Sequence, residues 1–311
     1  MKQGLYRQEF EHDSCGIGAV VDLTNEPTHE TISGALYMLS NMEHRGGRGA
    51  DPKTGDGAGI SMQIPHQFLQ DVTARTEIQL PASGEFGLGM TFFPTNKQLY
   101  SKAKDLLNQL IEELGFVLIG YRKVPIDETI PGSSALEVMP IIEQVFVRHK
   151  DGLQGLDLER KLYVLRNYAS SKINSEIPGV NQAFYFASFS SLTVVYKGQL
   201  RTDQVLPFFK DLQNPRIASA FAIVHSRFST NTFPNWRLAQ PFRYLSHNGE
   251  INTIRGNLNK MKSKEALMKS SFFSPEELAM LMPITNKLNS DSANLDAMVE
   301  LLTLSGRSLP H

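Results

Sequence analysis

The sequence carries a single cysteine, Cys15, at the head of the stretch Cys15-Gly-Ile-Gly18 and just behind a short polar leader. A free thiol has a pKa near 8.5 and is only fractionally ionised at neutral pH, so it needs a base before it can attack a substrate. Three further stretches gather polar groups with turn residues: His225-Ser-Arg-Phe-Ser-Thr230, Ser246-His-Asn-Gly-Glu250 and Asn289-Ser-Asp-Ser-Ala-Asn294. Asn248-Gly249 joins a side-chain amide to a backbone N–H on a chain that can turn closely, which suits a developing oxyanion. A guanidinium such as that of Arg227 binds carboxylates in bidentate fashion. Each feature also has a plainer reading. Cys15 could be a small buried hydrophobe at a strand start, Asn248-Gly249 a hairpin turn, Arg227 a surface salt bridge, and Asp291 a helix N-cap before Ser292-Ala293-Asn294.

Local periodicity suggests what holds these stretches. Gly16 to Leu23 reads as a strand. Thr28 to Glu43 reads as a helix with Ile32, Ala35, Leu36, Leu39 and Met42 on one face. The window 44–60 holds six glycines, which points to tight turns and close backbone approach. Within it, His44-Arg45-Gly46-Gly47 is read as shaping a loop over a pocket. Strands are expected at 59–64, 86–93, 116–124, 138–147, 217–227 and 242–247, the last running into a turn at Asn248-Gly249. The aromatic, β-branched run 184–196 suggests a hairpin turning near Phe189-Ser190-Ser191. Helices are expected after Pro65 and at 97–114, 158–173, 252–268 and 293–304. Strands therefore come in consecutive groups with helices between them, the pattern of antiparallel sheets covered by helices, an α+β layered domain. No internal repeat or linker stands out. The ending Ser308-Leu-Pro-His311 follows an apolar helix directly and reads as a cut.

Composition removes several function classes. The formal net charge of −1 in 311 residues creates no field to recruit nucleic acid. Lys260, Lys262, Lys264 and Lys269 read as a solvated helix face, and one Arg-Gly-Gly copy at 45–47 reads as a turn. A lone cysteine cannot form an intramolecular disulfide, ligate an iron–sulfur cluster or build a multi-cysteine zinc site. No two of the eight histidines stand four residues apart, so no metal site is expected. No apolar run approaches the roughly 20 residues that span a bilayer, and the leader has no hydrophobic centre. A cytoplasmic chain with no membrane contact is the expectation.

Taken together, the segments Glu11-His-Asp-Ser-Cys-Gly-Ile-Gly18, 42–60, His225–Trp236 and Ser246–Thr253 resemble the class II, or N-terminal-nucleophile, glutamine amidotransferases. The resemblance is closest to the N-terminal glutaminase domain of the glutamate synthase large subunit and covers essentially the whole chain. It implies a four-layer αββα sandwich of the N-terminal-nucleophile hydrolase type. It implies removal of a leader, residues 1–14, leaving residues 15–311 as the amidotransferase domain with Cys15 as its first residue. The new α-amino group, with a pKa of about 7.7–8.0, would then serve as the general base.

The resemblance further implies that Cys15 attacks L-glutamine, that Asn248 and Gly249 form the oxyanion hole, and that Arg227, Thr230 and Asp291 bind the substrate's α-carboxylate and α-ammonium. His225 and His247 are then assigned structural roles, and Trp236 packing. No cofactor is expected in this chain. Flavin and an iron–sulfur cluster are implied only for the absent synthase domains, which would receive the ammonia. Two rivals stand beside this reading. One is an N-terminal-nucleophile amidohydrolase of another amide. The other is a catalytically silent remnant that binds a synthase chain.

Overall fold

The structure is a computed structural model and describes residues 16–43, 46–47, 51–228, 232–249 and 251–310. Short runs of β-branched and aromatic residues bounded by Gly, Pro and polar turns form β1 (Ile17–Val21), β2 (Ala58–Gln63), β3 (Gly87–Phe93), β4 (Phe116–Lys123), β5 (Ile141–His149), β6 (Tyr185–Ser190), β7 (Thr193–Gly198) and β8 (Phe221–Ser226). Longer stretches with helical periodicity form α1 (His29–Ser40), α2 (His66–Thr73), α3 (Lys97–Glu113), α4 (Ser133–Glu137), α5 (Gly155–Glu176), α6 (Val205–Phe208), α7 (Ile254–Glu265), α8 (Pro275–Leu281) and α9 (Asp291–Leu304). Caps mark several helix starts. Thr28 accepts from the Thr31 N–H, Asn96 from those of Gln98 and Leu99, and Ser274 pairs with Glu277 in a reciprocal capping box.

Two four-stranded sheets result, ordered β1-β8-β2-β7 and β4-β5-β3-β6. Every ladder is antiparallel. The period of two sorts the strand residues into two cores. Ala58, Ile60, Met62, Val194, Tyr196, Ala222 and Val224 of the first sheet join Leu88, Met90, Phe92, Ile142 and Phe146 of the second, together with Ile32, Ala35 and Leu39 of α1. The alternate residues Phe93, Val145 and Val147 pack instead against Leu107, Leu110 and Ile111 of α3 and Leu158, Leu162 and Leu165 of α5. A bulge in β6 opposite Met90 and Thr91 shifts the register, so Phe186 and Phe189 both reach this second core.

Two expectations fail here. The segment 184–196 is not a hairpin: β6 belongs to the second sheet and β7 to the first, so the turn at Ser191-Leu192 carries the chain from one sheet to the other. Glu159 of α5 pins that turn by accepting from the Ser190 and Ser191 hydroxyls and the Ser191 N–H. Nor do residues 242–247 form a strand. Their backbone groups bond to side chains rather than to a neighbouring strand, as described below. The expected α+β class with two antiparallel sheets is observed.

Gly59 lies in the ladder between β7 and β8, opposite Lys197 and His225. A Cβ there would stand 2.5 Å from Lys197 Cβ, 2.7 Å from the Tyr196 carbonyl and 2.9 Å from the Gln240 carbonyl. Two of those neighbours are backbone and cannot swing aside. Gly59→Ala should therefore lower the free energy of unfolding by about 1–3 kcal/mol. Denaturant titration checks this, and an unchanged midpoint would show that the loop above β2 yields freely.

Candidate active site

Strand β8 delivers His225, Ser226 and Arg227 at its C-terminal end, beside the start of β1. Ile17 pairs with His225, and the Ser226 N–H donates to the Gly16 carbonyl at 2.6 Å. Gly16 is the residue after Cys15. A Cβ on Gly16 would lie 2.9 Å from Asn248 Nδ2 and 2.5 Å from the Ser226 carbonyl. The Asn248 carboxamide thus rests directly against the backbone at the head of β1, and only glycine allows that approach. Beside this contact opens a cleft of about 1170 Å³ whose lining includes His225, Arg227, Asn248, Gly249 and Asp291. Four of the residues singled out in the sequence, Arg227, Asn248, Gly249 and Asp291, therefore meet in one place. Cys15 and Thr230 lie outside the described residues, as do His44 and Arg45.

Arg227 is buried, 6% exposed, which disposes of the surface salt bridge. Its Nη1 donates to the Asp56 carbonyl at 3.2 Å and its Nη2 to Thr232 Oγ1 at 2.7 Å. Its backbone N–H donates to the Gly57 carbonyl, and its carbonyl accepts from Gly47 N–H. The glycine-rich stretch is thus a cradle for Arg227. Burial pushes the guanidinium pKa down, and the opposite charges of Asp56 and Asp291 oppose that shift only in part. Thr232 is a contact that the sequence reading missed. Its signal was faint, a second threonine two places beyond Thr230 in the same polar loop.

The loop bearing Asn248 is fixed by side chains. The Gln240 amide grips the His247 backbone at both ends: Nε2 donates to the carbonyl at 3.2 Å, and Oε1 accepts from the N–H at 3.3 Å. His225 Nε2 lies 3.1 Å from the same carbonyl and, because a carbonyl only accepts, carries the ring proton. Gly249 N–H, the second donor expected of an oxyanion hole, donates to His247 Nδ1 at 2.9 Å. That donor is engaged within the loop itself.

Asp291 is the first residue of α9 rather than its cap. Ser290 caps the helix, its hydroxyl accepting from Ala293 N–H at 3.2 Å. The Asp291 carboxylate is left for other work. Oδ1 accepts from Ser292 N–H at 2.7 Å and Oδ2 from Ile251 N–H at 3.1 Å, which ties the far side of the Asn248 loop to the helix start. The N-cap reading of Asp291 is therefore wrong; two adjacent cap-type residues, Ser290 and Asp291, made the position ambiguous in sequence.

His225 is buried, and desolvation depresses its pKa to about 4, with the hydrogen bond to His247 opposing. With its pKa that far below neutrality it is a weak general base at pH 7. A histidine depressed from 6.5 favours folding fully above about pH 6.5, and that contribution is lost as pH falls towards 4, because the unfolded chain takes up the proton first. Replacing it by glutamine should flatten the fall in melting temperature across pH 6.5 to 4 relative to the parent protein. Parallel melting curves over that range would show the histidine to be solvated if the two profiles kept the same slope.

Comparison with known proteins agrees with the geometry. The family model of the class-II glutamine amidotransferases matches residues 15–311. The chain is 46% identical over 312 aligned residues to the glutamate synthase [NADPH] large chain of Bacillus subtilis, covering 99% of this chain and 20% of that one. It is 43% identical to ferredoxin-dependent glutamate synthase 2, chloroplastic, of Arabidopsis thaliana, over 96% of this chain and 18% of the relative. It is 41% identical to glutamate synthase [NADH] of Saccharomyces cerevisiae, over 99% and 15% respectively. The chain thus spans a fifth or less of the length of these relatives. With the family model matched from Cys15 onward, the chain belongs to the class-II glutamine amidotransferases.

Proposed function

We propose that the cleft hydrolyses the side-chain amide of L-glutamine through a γ-glutamyl thioester on Cys15, yielding glutamate and ammonia. The observation that supports this best is the contact between Asn248 and Gly16. It sets an amide donor beside the residue that follows the only thiol of the chain. Cleavage between Ser14 and Cys15 frees an α-amino group, which takes the thiol proton. The thiolate attacks the glutamine Cδ, and the carbonyl oxygen becomes an oxyanion facing Asn248 Nδ2 and Gly249 N–H. The C–N bond then breaks as the ammonium returns its proton to the leaving nitrogen. Water, deprotonated by the same amine, attacks the thioester and releases glutamate and the thiol.

Arg227 takes the α-carboxylate of the substrate, Asp291 its α-ammonium, and Thr230 adds a hydroxyl. Gly249 must exchange His247 Nδ1 for the oxyanion, so the hole opens only as the intermediate forms. The fold is proposed to be the four-layer αββα sandwich of the N-terminal-nucleophile hydrolases, in the cytoplasm. Among the described residues, no helix is long and apolar enough to cross a membrane. The ammonia is proposed to pass to a glutamate synthase domain or chain holding flavin and an iron–sulfur cluster. A single cysteine cannot ligate such a cluster, and no step on this chain runs through either group.

Glutaminase assays on the processed protein test the nucleophile and the hole together. Intact mass should show residues 1–14 removed in active protein. Cys15→Ser should lose activity by orders of magnitude with the fold retained. Asn248→Ala should lower kcat by roughly 10²–10³ with little change in KM. Full activity with Met1 still attached, or a serine variant near the parent rate, would sink the reading.

The substrate clamp has its own signature. In Asp291→Asn the single amide oxygen can keep only one of the two contacts, to Ser292 N–H or to Ile251 N–H, so the melting temperature should fall slightly. The lost charge should raise KM for glutamine about tenfold to over a hundredfold, the range of a charge-assisted contact. Unchanged saturation curves would remove Asp291 from the site.

A further inference from the structure

The 236–249 segment, which carries Asn248, packs against α9, which carries Asp291. One buried carboxylate touches both. Asp296 belongs to α9 and is 0% exposed. Its Oδ1 accepts from two consecutive loop N–H groups, Tyr244 at 2.7 Å and Leu245 at 3.0 Å. Its Oδ2 forms an ion pair with Arg243 Nη2 at 2.8 Å. Arg243 also reaches Glu300 Oε2 at 3.3 Å, one turn further along α9, and Glu300 in turn pairs with Arg166 of α5 at 2.5 Å. Arg243 Nη1 donates to the Tyr185 hydroxyl of β6 at 3.3 Å, and Lys197 of β7 donates to the same hydroxyl at 3.3 Å and to the loop carbonyl of Ala239 at 2.8 Å.

We propose that Asp296 is a positioning residue of the amidotransferase site: by gripping Tyr244, Leu245 and Arg243 it sets the distance between Asn248 on the loop and Asp291 at the start of its own helix. The proposal rests on the reading that these two residues face one glutamine. Asp296 stands five residues after Asp291 on a rigid helix and grips the loop three residues before Asn248. A single side chain therefore fixes both jaws of the cleft from behind without touching the substrate. Asp291 makes the second tie, to Ile251 on the other side of Asn248. The loop is clamped to α9 on both flanks of its catalytic residue. A carboxylate suits the first tie because it accepts from two N–H groups and balances a buried guanidinium at once.

A displacement of about 1 Å at a catalytic group can cost on the order of 100-fold in rate. Asp296→Asn keeps an acceptor for the loop but loses the ion pair. It should lower kcat/KM for glutamine about ten- to hundredfold at a temperature well below its own melting point. Alkylation of Cys15 by iodoacetamide, which needs neither jaw, should stay within about twofold of the parent protein. If stability falls while kcat/KM per folded molecule is unchanged, Asp296 is only part of the scaffold and the proposal is overturned. Glu300→Gln breaks the network on its far side and leaves the loop N–H groups in place. At an equal loss of melting temperature it should cost less kcat/KM than Asp296→Asn, and an equal cost would overturn the proposal. Should Asp296→Asn not accumulate, Arg243→Lys carries the same expectation at about three- to tenfold, and parent-like kinetics there overturn it. A parent protein with no glutaminase activity, or whose Cys15 glutamine does not protect, would instead mark failure of the functional reading.

Discussion

Everything at this site depends on satisfying a stretch of buried and half-buried backbone that has no strand partner and, after one 3-10 turn at Trp236–Leu238, no helix. Such groups cost free energy unless each finds a partner. Along 235–249, only short pieces pair within the segment. Phe242 N–H reaches the Leu245 carbonyl, and Leu238 N–H the Asn235 side chain. Beyond these, the partners are side chains, some from within the loop and some from other elements. Lys197 takes the Ala239 carbonyl, Gln240 both ends of His247, and Asp296 the N–H groups of Tyr244 and Leu245. Trp236 anchors the start by donating from Nε1 to the Ala135 carbonyl. A loop held this way has little freedom to drift, which is what a preorganised oxyanion donor requires.

The two buried arginines of this region show how charge is apportioned. Burial alone would lower both. Arg243 is nevertheless held above its ordinary value, because Asp296 and Glu300 outweigh the desolvation. Arg227 stays below its ordinary value, because Asp56 and Asp291 do not. The first arginine is electrostatically saturated and belongs to the scaffold. The second is left with burial uncompensated, which suits the proposed role of binding a substrate carboxylate. Lys197, fully buried over the rings of Tyr185 and Phe242, is lowered by burial as Arg227 is, but its ammonium is committed to the Tyr185 hydroxyl and the Ala239 carbonyl.

How far the sequence discloses this arrangement differs by feature. Strands and helices with clean periodicity, such as β3, β5, α1 and α3, are legible because burial on one face leaves its mark every two or every 3.6 residues. The start of α8 was legible too, in Ser274-Pro-Glu-Glu277, a capping box with proline at the first helical position, though the sequence reading passed it over. The turn after β6 was visible, yet which sheet each flanking strand would join was not, since local residues specify a turn but not its partners. Residues 242–247 imitate a strand because aromatic and polar residues alternate there. Phe242 packs on Lys197 and against Ala293 of α9, while Arg243 pairs with Asp296 and Glu300, with no ladder involved. That Arg227, Asn248, Gly249 and Asp291 would line one cleft was legible through motif resemblance. Their supports Thr232, Gln240 and Asp296 were not, because single hydrogen bonds made by loop residues or to loop backbone leave no periodic trace.

The strand that leads out of Cys15 imposes the last constraint. Among the described residues β1 is an edge strand, paired only with β8. An edge strand of five residues has one ladder to fix its register, and a slip of one residue would turn every side chain to the opposite face. Here the slip is opposed at successive points along the inward face. Gly18 faces Met38 and Met42 of the α1 region so closely that a Cβ would clash, and Val20 packs into the same core. At the strand head, Gly16 is wedged between the Ser226 carbonyl and the Asn248 carboxamide. A one-residue slip would bring Ile17 to the wedge and its side chain into Asn248. The small residues of Cys15-Gly-Ile-Gly18 therefore do more than permit close approach. They make one register acceptable, and that register is the one that sets Gly16 against Asn248.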